Sequence, residues 1–312
     1  MEAGVKREKT TNISGSNSVR TDILEISHEE VMDNLLLGNN AQFFRFPYYD
    51  FVKALVADNI SAVDLTLLSP HIYIDSFEIL DPCHVIEMLH ANGISVKATT
   101  PLPYRYSICA KAGTMQRERT LGYYRQCILF TKKAGAKFLL LTASGANFDT
   151  ANEILLENAA EVLSILASFA EECGVTLLLG TVFGSESPLN ASSPVLLTLP
   201  DVKNMLQRVN SPALKAYLDT AVISLVGETI SQWFTQLGKE ICLVRFTDGN
   251  YNGYRIWGSG CLPCERYLRE LQQNGYSGAL SLSVPGERYC ENPAEAQRFL
   301  LCNLRNALKK VT

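Results

Sequence analysis

Short apolar runs alternate with amphipathic stretches along most of this chain. Strand-length runs occur at Ala41–Phe46, Ala62–Leu67, Ile94–Thr99, Lys137–Thr142, Val175–Val182, Leu214–Thr220, Glu240–Thr247 and Gly278–Val284. Between and after them, apolar residues recur at helical spacing over Tyr48–Asn59, Pro82–Asn92, Met115–Ala134, Pro200–Val209, Thr229–Leu237, Pro263–Asn274 and Pro293–Lys310. A further helix is marked at both ends. Thr150 and Glu153 have the spacing of a capping box, Leu155, Ala159, Val162, Leu166 and Phe169 form its apolar stripe, and Gly174 supplies its stop. Eight strand–helix units over residues 41–312 predict an α/β fold of one domain, a (β/α)8 TIM barrel. The rival is an open Rossmann-type sheet, which calls for a G-x-G-x-x-G turn after a strand; none occurs.

Ahead of the barrel, residues 1–22 are polar and aperiodic and are expected to be a disordered arm. Residues 23–40 are expected to form a short N-terminal extension, helical by the spacing of Ile23, Ile26, Val31, Leu35 and Leu36. The start of the chain has no apolar signal-peptide core, and its longest apolar runs are strand-length. The expectation is therefore a cytoplasmic protein without a membrane partner. A net charge of -4 with no basic stripe argues against nucleic acid as a partner. Nine scattered cysteines fit reduced thiols better than a disulfide framework. Cys261 and Cys264 form a lone C-x-x-C; without a thioredoxin-like context or a second ligand pair, it reads as a loop entering a helix.

Alternation within strands picks out the side chains that face the barrel axis, because the outward face packs on helices and must be apolar. Leu280, Leu282 and Val284 then face outward, with Ser281 and Ser283 inward. Cys242, Val244 and Phe246 face outward, with Arg245 and Thr247 inward. Ala216 and Leu218 oppose an inward Asp219, and Leu177 and Leu179 oppose an inward Gly180. Asp219 ends a buried strand, where such barrels keep their active sites; the alternative is that it only caps the loop that follows. Loops add His71, Glu186, Asp248, Trp257, Glu287 and Arg288 as polar or aromatic candidates.

Several stretches together resemble the xylose-isomerase-like TIM barrels, in particular the ketose 3-epimerase branch with tagatose and fructoselysine epimerases. They include Ser69–Asp75, Arg117-Glu-Arg119, Ala170–Leu179, Glu186-Ser187, Leu218-Asp-Thr220, Gly227-Glu228, Val244–Gly249, Trp257–Gly260, Gly275–Gly278, Arg288-Tyr289 and Asn292-Pro293. The resemblance runs from about Phe43 to the C-terminus. It implies a divalent metal (Mn, Mg, Co or Zn) held by Glu, Asp, His and Glu, with two of the carboxylates moving a proton beside a metal-polarised carbonyl. Carried over, those ligand positions are Gly180, Asp219, Arg245 and Ser283, so one of the four retains its ligand. The expectation is therefore no bound cofactor, with a divalent metal as the alternative. Arg245 is expected to occupy the space of the lost metal and to pair with Asp219.

The catalytic candidates are Glu186, Asp219 and Arg245. The substrate-binding candidates are His71, Glu186, Arg245, Asp248, Trp257, Ser283 and Arg288. Each of the loop residues has an ordinary alternative: Glu186 as a solvated charge, His71 as a loop hydrogen-bonder, Trp257 as packing over the mouth. The resulting expectation is a degenerate family member that binds a carbohydrate-like ligand. The alternative is an active ketose-type isomerase or epimerase, with Arg245 in the metal's place if it works without one. Homo-oligomerisation is expected by analogy, as is pairing with an intact paralogue.

Overall fold

A computed structural model of the chain describes Met1 and residues 35–75, 83–102, 106–143, 150–181, 195–284 and 288–311. Eight strands form one parallel sheet: β1 (Leu36–Leu37), β2 (Ala62–Leu67), β3 (Ser95–Pro101), β4 (Phe138–Thr142), β5 (Thr176–Gly180), β6 (Leu214–Asp219), β7 (Ile241–Arg245) and β10 (Ala279–Ser281). Their spatial order is β1-β10-β7-β6-β5-β4-β3-β2. A parallel bridge from Gly38 to Val63 closes β1 onto β2, so the sheet is a barrel. The Gly38 amide donates to the Ala62 carbonyl and the Asp64 amide to the Gly38 carbonyl, both at 3.0 Å. Two short strands, β8 (Asp248–Asn250) and β9 (Gly253–Arg255), form an antiparallel hairpin after β7.

The helices among the described residues are α1 (Tyr48–Ala57), α2 (Cys83–Ala91), α3 (Met115–Lys133), α4 (Asn152–Cys173), α5 (Leu199–Val209), α6 (Thr220–Leu225), α7 (Ile230–Leu237), α8 (Cys264–Gln273) and α9 (Pro293–Val311). None is long and apolar enough to cross a membrane. Outward strand residues such as Val63, Leu65, Leu177, Leu179, Ala216, Leu218, Val244 and Leu280 pack in one continuous core with the helices. Inward residues Leu37, Ala62, Ala98, Leu140, Leu178, Tyr217 and Leu243 form a second cluster that fills the lumen. The inward and outward faces expected from alternation therefore hold for β5, β6 and β10 and for Val244 and Arg245 of β7, whereas Cys242, expected outward, packs against the lumen cluster.

Two local expectations are corrected. Ala41–Phe46 is not the first strand: Ala41–Phe43 is a 3-10 turn, and Leu36–Leu37, which lies inside the expected extension, pairs with Leu280–Ser281 instead. The strand forms there because Leu280 and Leu282 amides donate to the Leu35 and Leu37 carbonyls, at 2.9 and 3.0 Å. Residues 2–34, which hold the polar arm and the rest of the extension, lie outside the described residues. Second, α4 starts at Asn152 with Ala151 as its N-cap and no side-chain cap, so Thr150 and Glu153 do not form the expected box. Capping boxes occur instead at Thr198/Asp201 and Thr229/Gln232. The Gly174 stop is observed, in the left-handed conformation.

Candidate functional site

The carboxyl ends of the strands gather polar side chains that water does not reach. Register places Asp219 beside Arg245, and Arg245 beside Ser281. Asp219 and Ser281 are fully buried, and Arg245 is 4% exposed. The arrangement is built from β6 outward. Asp219 ends the strand and caps α6, its Oδ1 accepting from the Ala221 and Val222 amides at 3.1 and 3.2 Å. The reading of Asp219 as a cap is thus correct, but it accounts for one oxygen only. Oδ2 accepts from the Tyr254 hydroxyl at 2.9 Å and lies 3.6 Å from Arg245 Nη1. The separation is that of an ion pair, longer than a hydrogen bond.

Tyr217 fills the space between these groups and β5. Its ring lies 5.1 Å from the Arg245 guanidinium carbon, a cation–π contact. Its hydroxyl donates to the Thr181 carbonyl at 3.2 Å. A Cβ on Gly180 would stand 2.4 Å from the Tyr217 ring, so the aromatic side chain occupies the room that a residue at 180 needs. Across the lumen, the buried Asp64 accepts from Ser281 Oγ at 2.6 Å and from Thr100 Oγ1 at 2.8 Å. Around this cluster, Arg245 Nε, Thr142 Oγ1 and Thr247 Oγ1 are buried and have no hydrogen-bond partner among the described residues.

Burial raises the Asp219 carboxyl above its ordinary value, against the pull of Arg245, Tyr254 and the two capping amides. Burial alone would also favour loss of the Arg245 proton. Tyr217, Asp219, Tyr254 and Asp64 outweigh that effect, and the guanidinium stays charged. Burial raises the Tyr217 and Tyr254 phenols as well, so both remain hydrogen-bond donors at neutral pH.

The residues present do not fit a divalent metal. Such ions need several oxygen, nitrogen or sulfur ligands, and no group of three His, Cys, Asp or Glu side chains converges among the described residues. Asp219 already accepts three hydrogen bonds and faces a guanidinium. Gly180 offers no side chain, and Tyr217 fills the place where one would go.

The loop candidates sit elsewhere. His71 is buried; its Nε2 donates to the Phe46 carbonyl at 2.8 Å, and Nδ1 faces Asn40 Nδ2 at 3.4 Å, so both ring nitrogens are engaged within the protein. Burial lowers its pKa. Asp248 accepts from the backbone amides of Gly249, Gly258, Gly260 and Leu262, which shapes the loop after β7. Trp257 is buried in the outer core against Phe246, with its Nε1 donating to the Phe246 carbonyl at 2.9 Å. It has no ring face open to a sugar. Ser283 is buried, its amide 3.4 Å from Ser281 Oγ, and Arg288 is exposed. Glu186 and Glu287 lie outside the described residues. Cys261 and Cys264 are free thiols, with burial pushing Cys264 up to about 12.

Asp64, Thr142, Tyr217 and Tyr254 belong to the constellation but are absent from the sequence-derived candidates. Alternation carries a signal for the first three, since Asp64 lies two residues after the inward Ala62, Thr142 two after Leu140, and Tyr217 two before Asp219. Nothing in the strand period marks Tyr254, which arrives from the hairpin.

Fold and site together define a class: a parallel (β/α)8 barrel with buried polar groups at the carboxyl ends of its strands. Within that class, the chain belongs to the xylose isomerase-like TIM barrel family, whose model matches residues 41–302. It is similar to the fructoselysine 3-epimerase of Shigella flexneri, with 27% identity over 177 residues, covering 56% of this chain and 62% of that one. The match to the Escherichia coli O157:H7 fructoselysine 3-epimerase covers 64% of that relative, so less than two thirds of either is spanned. Among solved structures, D-allulose 3-epimerase from Methylomonas sp. superposes with a TM-score of 0.71 at 13% identity, covering 90% of this chain and 99% of that one. D-psicose 3-epimerase from Clostridium cellulolyticum H10, solved with D-tagatose, gives 0.66 at 15% identity, covering 88% and 97%. Likeness at these identities is likeness of fold.

Proposed function

We propose that the mouth of this barrel binds a carbohydrate-like, polyhydroxylated small molecule without the family's metal-assisted proton transfer. The observation that carries this reading is the set of buried polar groups lacking partners among the described residues: Arg245 Nε, Thr142 Oγ1 and Thr247 Oγ1. Sugar hydroxyls both donate and accept, so they match a rim of hydroxyls with one fixed N–H donor. The sugar epimerases among the relatives support the ligand class. The test is calorimetric titration with ketoses, aldoses, sugar phosphates and glycosides in EDTA, with turnover followed in the same samples. Binding without turnover is expected. The absence of binding and turnover across the panel overturns the proposal.

A second reading is a metal-independent isomerase or epimerase, favoured by the raised Asp219 carboxyl beside a fixed cation. Turnover in EDTA that Asp219→Asn abolishes would establish it. The proposal extends to a cytoplasmic protein acting as a homo-oligomer or beside an intact paralogue. Sedimentation of a pure monomer at micromolar concentration, alone and with such a paralogue, argues against that assembly.

A further inference from the structure

We infer that Arg245 is the resident cation of the barrel centre: it stands where the family resemblance places a divalent metal and supplies that metal's positive charge to the buried carboxyl groups around it. The inference rests on the reading of the mouth as a site without a metal, and it adds what replaces the ion.

Two carboxyl groups, Asp64 and Asp219, are fully buried on opposite sides of the lumen. A buried charge is costly unless paired. Arg245 lies 3.6 Å from one and is acted on electrostatically by both. The remaining titratable groups acting on it are the phenols of Tyr217 and Tyr254.

A guanidinium takes more room than a bare ion, and it needs a flat neighbour to be held in one orientation. Tyr217 provides that face, and it has room to do so only because position 180 carries no side chain. Arg245, Tyr217 and Gly180 therefore act as a matched set. A bulkier residue at 180 displaces the ring, and loss of the ring frees the guanidinium. The set also sets the chemistry of the site. A metal offers open coordination positions to a ligand, whereas Arg245 offers N–H donors alone, of which Nε has no partner among the described residues. The oxygen it meets is an acceptor, a carbonyl or a hydroxyl, and it can be polarised by hydrogen bonding without being ligated.

The experiment uses the full chain and reads metal content and stability, so its outcome is independent of whether any sugar binds. After dialysis against equimolar Mn2+, elemental analysis is expected to find far less than one equivalent. The melting temperature is expected to stay unchanged by Mn2+, Mg2+ or EDTA. Zinc is avoided because the chain carries nine cysteines, none of them in a disulfide. Near-stoichiometric Mn2+ that raises the melting temperature and is lost in Asp219→Asn overturns the inference. The second arm compares Arg245→Lys with Arg245→Met. The lysine variant is expected to retain most of the wild-type melting temperature and the methionine variant to lose it. Millimolar guanidinium is expected to restore part of that loss while leaving wild type unmoved. A methionine variant as stable as the lysine variant, or one that guanidinium does not restore, overturns the inference. Should the methionine variant not fold, the wild-type metal titration and the lysine variant still decide.

Discussion

The floor and the mouth of the lumen are both largely shielded from water, yet they are held by opposite means. On the floor, Leu37, Ala62, Ala98, Leu140, Leu178, Tyr217 and Leu243 meet as an apolar plug. Two residues further along the same strands, the inward positions become Asn39, Asp64, Thr100, Thr142, Gly180, Asp219 and Arg245. Burying the first set is favourable in proportion to apolar area, about 25 cal/mol per Å2. Burying the second set costs desolvation that hydrogen bonds and the Arg245–Asp219 pair only offset. A barrel selected for stability alone has no reason to change from one to the other. The change across a single step of strand period is the feature on which the proposed ligand site rests.

The strongest way to break this comparison is Asp219→Ala. It removes the ion-pair partner of Arg245, the acceptor of Tyr254 and the cap of α6. Leaving a buried guanidinium unpaired costs about 3–5 kcal/mol. Urea denaturation should show that loss, and a change under about 1 kcal/mol would remove the pair from the account of the mouth. On the floor, Leu178→Ala should cost about 2–5 kcal/mol through its cavity and leave ligand affinity unchanged. An affinity change as large as the stability change would blur the division between the two layers.

Gly180→Ala comes next, because its methyl group would meet the buried Tyr217 ring at 2.4 Å. The expected cost is about 1–3 kcal/mol. A Gly180→Ala/Tyr217→Leu double mutant should recover part of it, and strict additivity in the cycle would disprove the matched set. Thr142→Val and Thr247→Val should move stability by less than about 1 kcal/mol, since each deletes a buried hydroxyl with no partner among the described residues. Calorimetry should nevertheless register weaker ligand binding, and unchanged affinity in both would take these hydroxyls out of the site.

The smallest effect lies outside both layers, at His71. Burial lowers its pKa, so the unfolded chain takes up a proton near pH 6.5 that the folded chain resists. Its contribution to stability is complete above about pH 6.5 and is lost as pH falls through the folded value. Protonated Nδ1 would face the Asn40 amide donor. The urea midpoint should fall between pH 7 and pH 5.5, roughly the window below the ordinary histidine value, and His71→Gln should flatten that slope. Parallel slopes in the two proteins would assign the pH dependence to another group.

Much of the barrel is legible in the sequence because β2 to β7 are long enough to show their period. Ala62–Leu67 reads as a strand and is one residue for residue. The first strand is not legible: a pair of leucines shows no period, and with Leu35 and Val31 it fits helical spacing equally well. What makes Leu36–Leu37 a strand is the free edge of β10, a contact distant in the chain. Of the site, Asp219 and Arg245 are legible from alternation and strand order. Asp64 is legible by the same rule, as an acidic residue two positions after an inward alanine. Tyr254 is not, because β8 and β9 are three residues each and carry no pattern. The Asp248 and Trp257 candidates show the limit of reading loops by residue type, since backbone amides and a neighbouring phenylalanine engage both.

The bridge at Gly38 gives the molecule a seam. The backbone bridge there is one residue long, and two asparagines extend it: Asn39 and Asn40 Nδ2 donate to the Asp64 and Thr66 carbonyls at 2.6 and 3.0 Å, and the Thr66 amide donates to Asn40 Oδ1 at 2.8 Å. A Cβ on Gly38 would stand 2.4 Å from Leu55 Cδ2 of α1, so the clasp tolerates little added bulk while that helix stays in place. The hoop is therefore closed by a different fastening from the rest of its circumference. Side chains of the polar layer thus do at the closure what backbone ladders do elsewhere, so the rim that carries Asp64 also holds the ring shut.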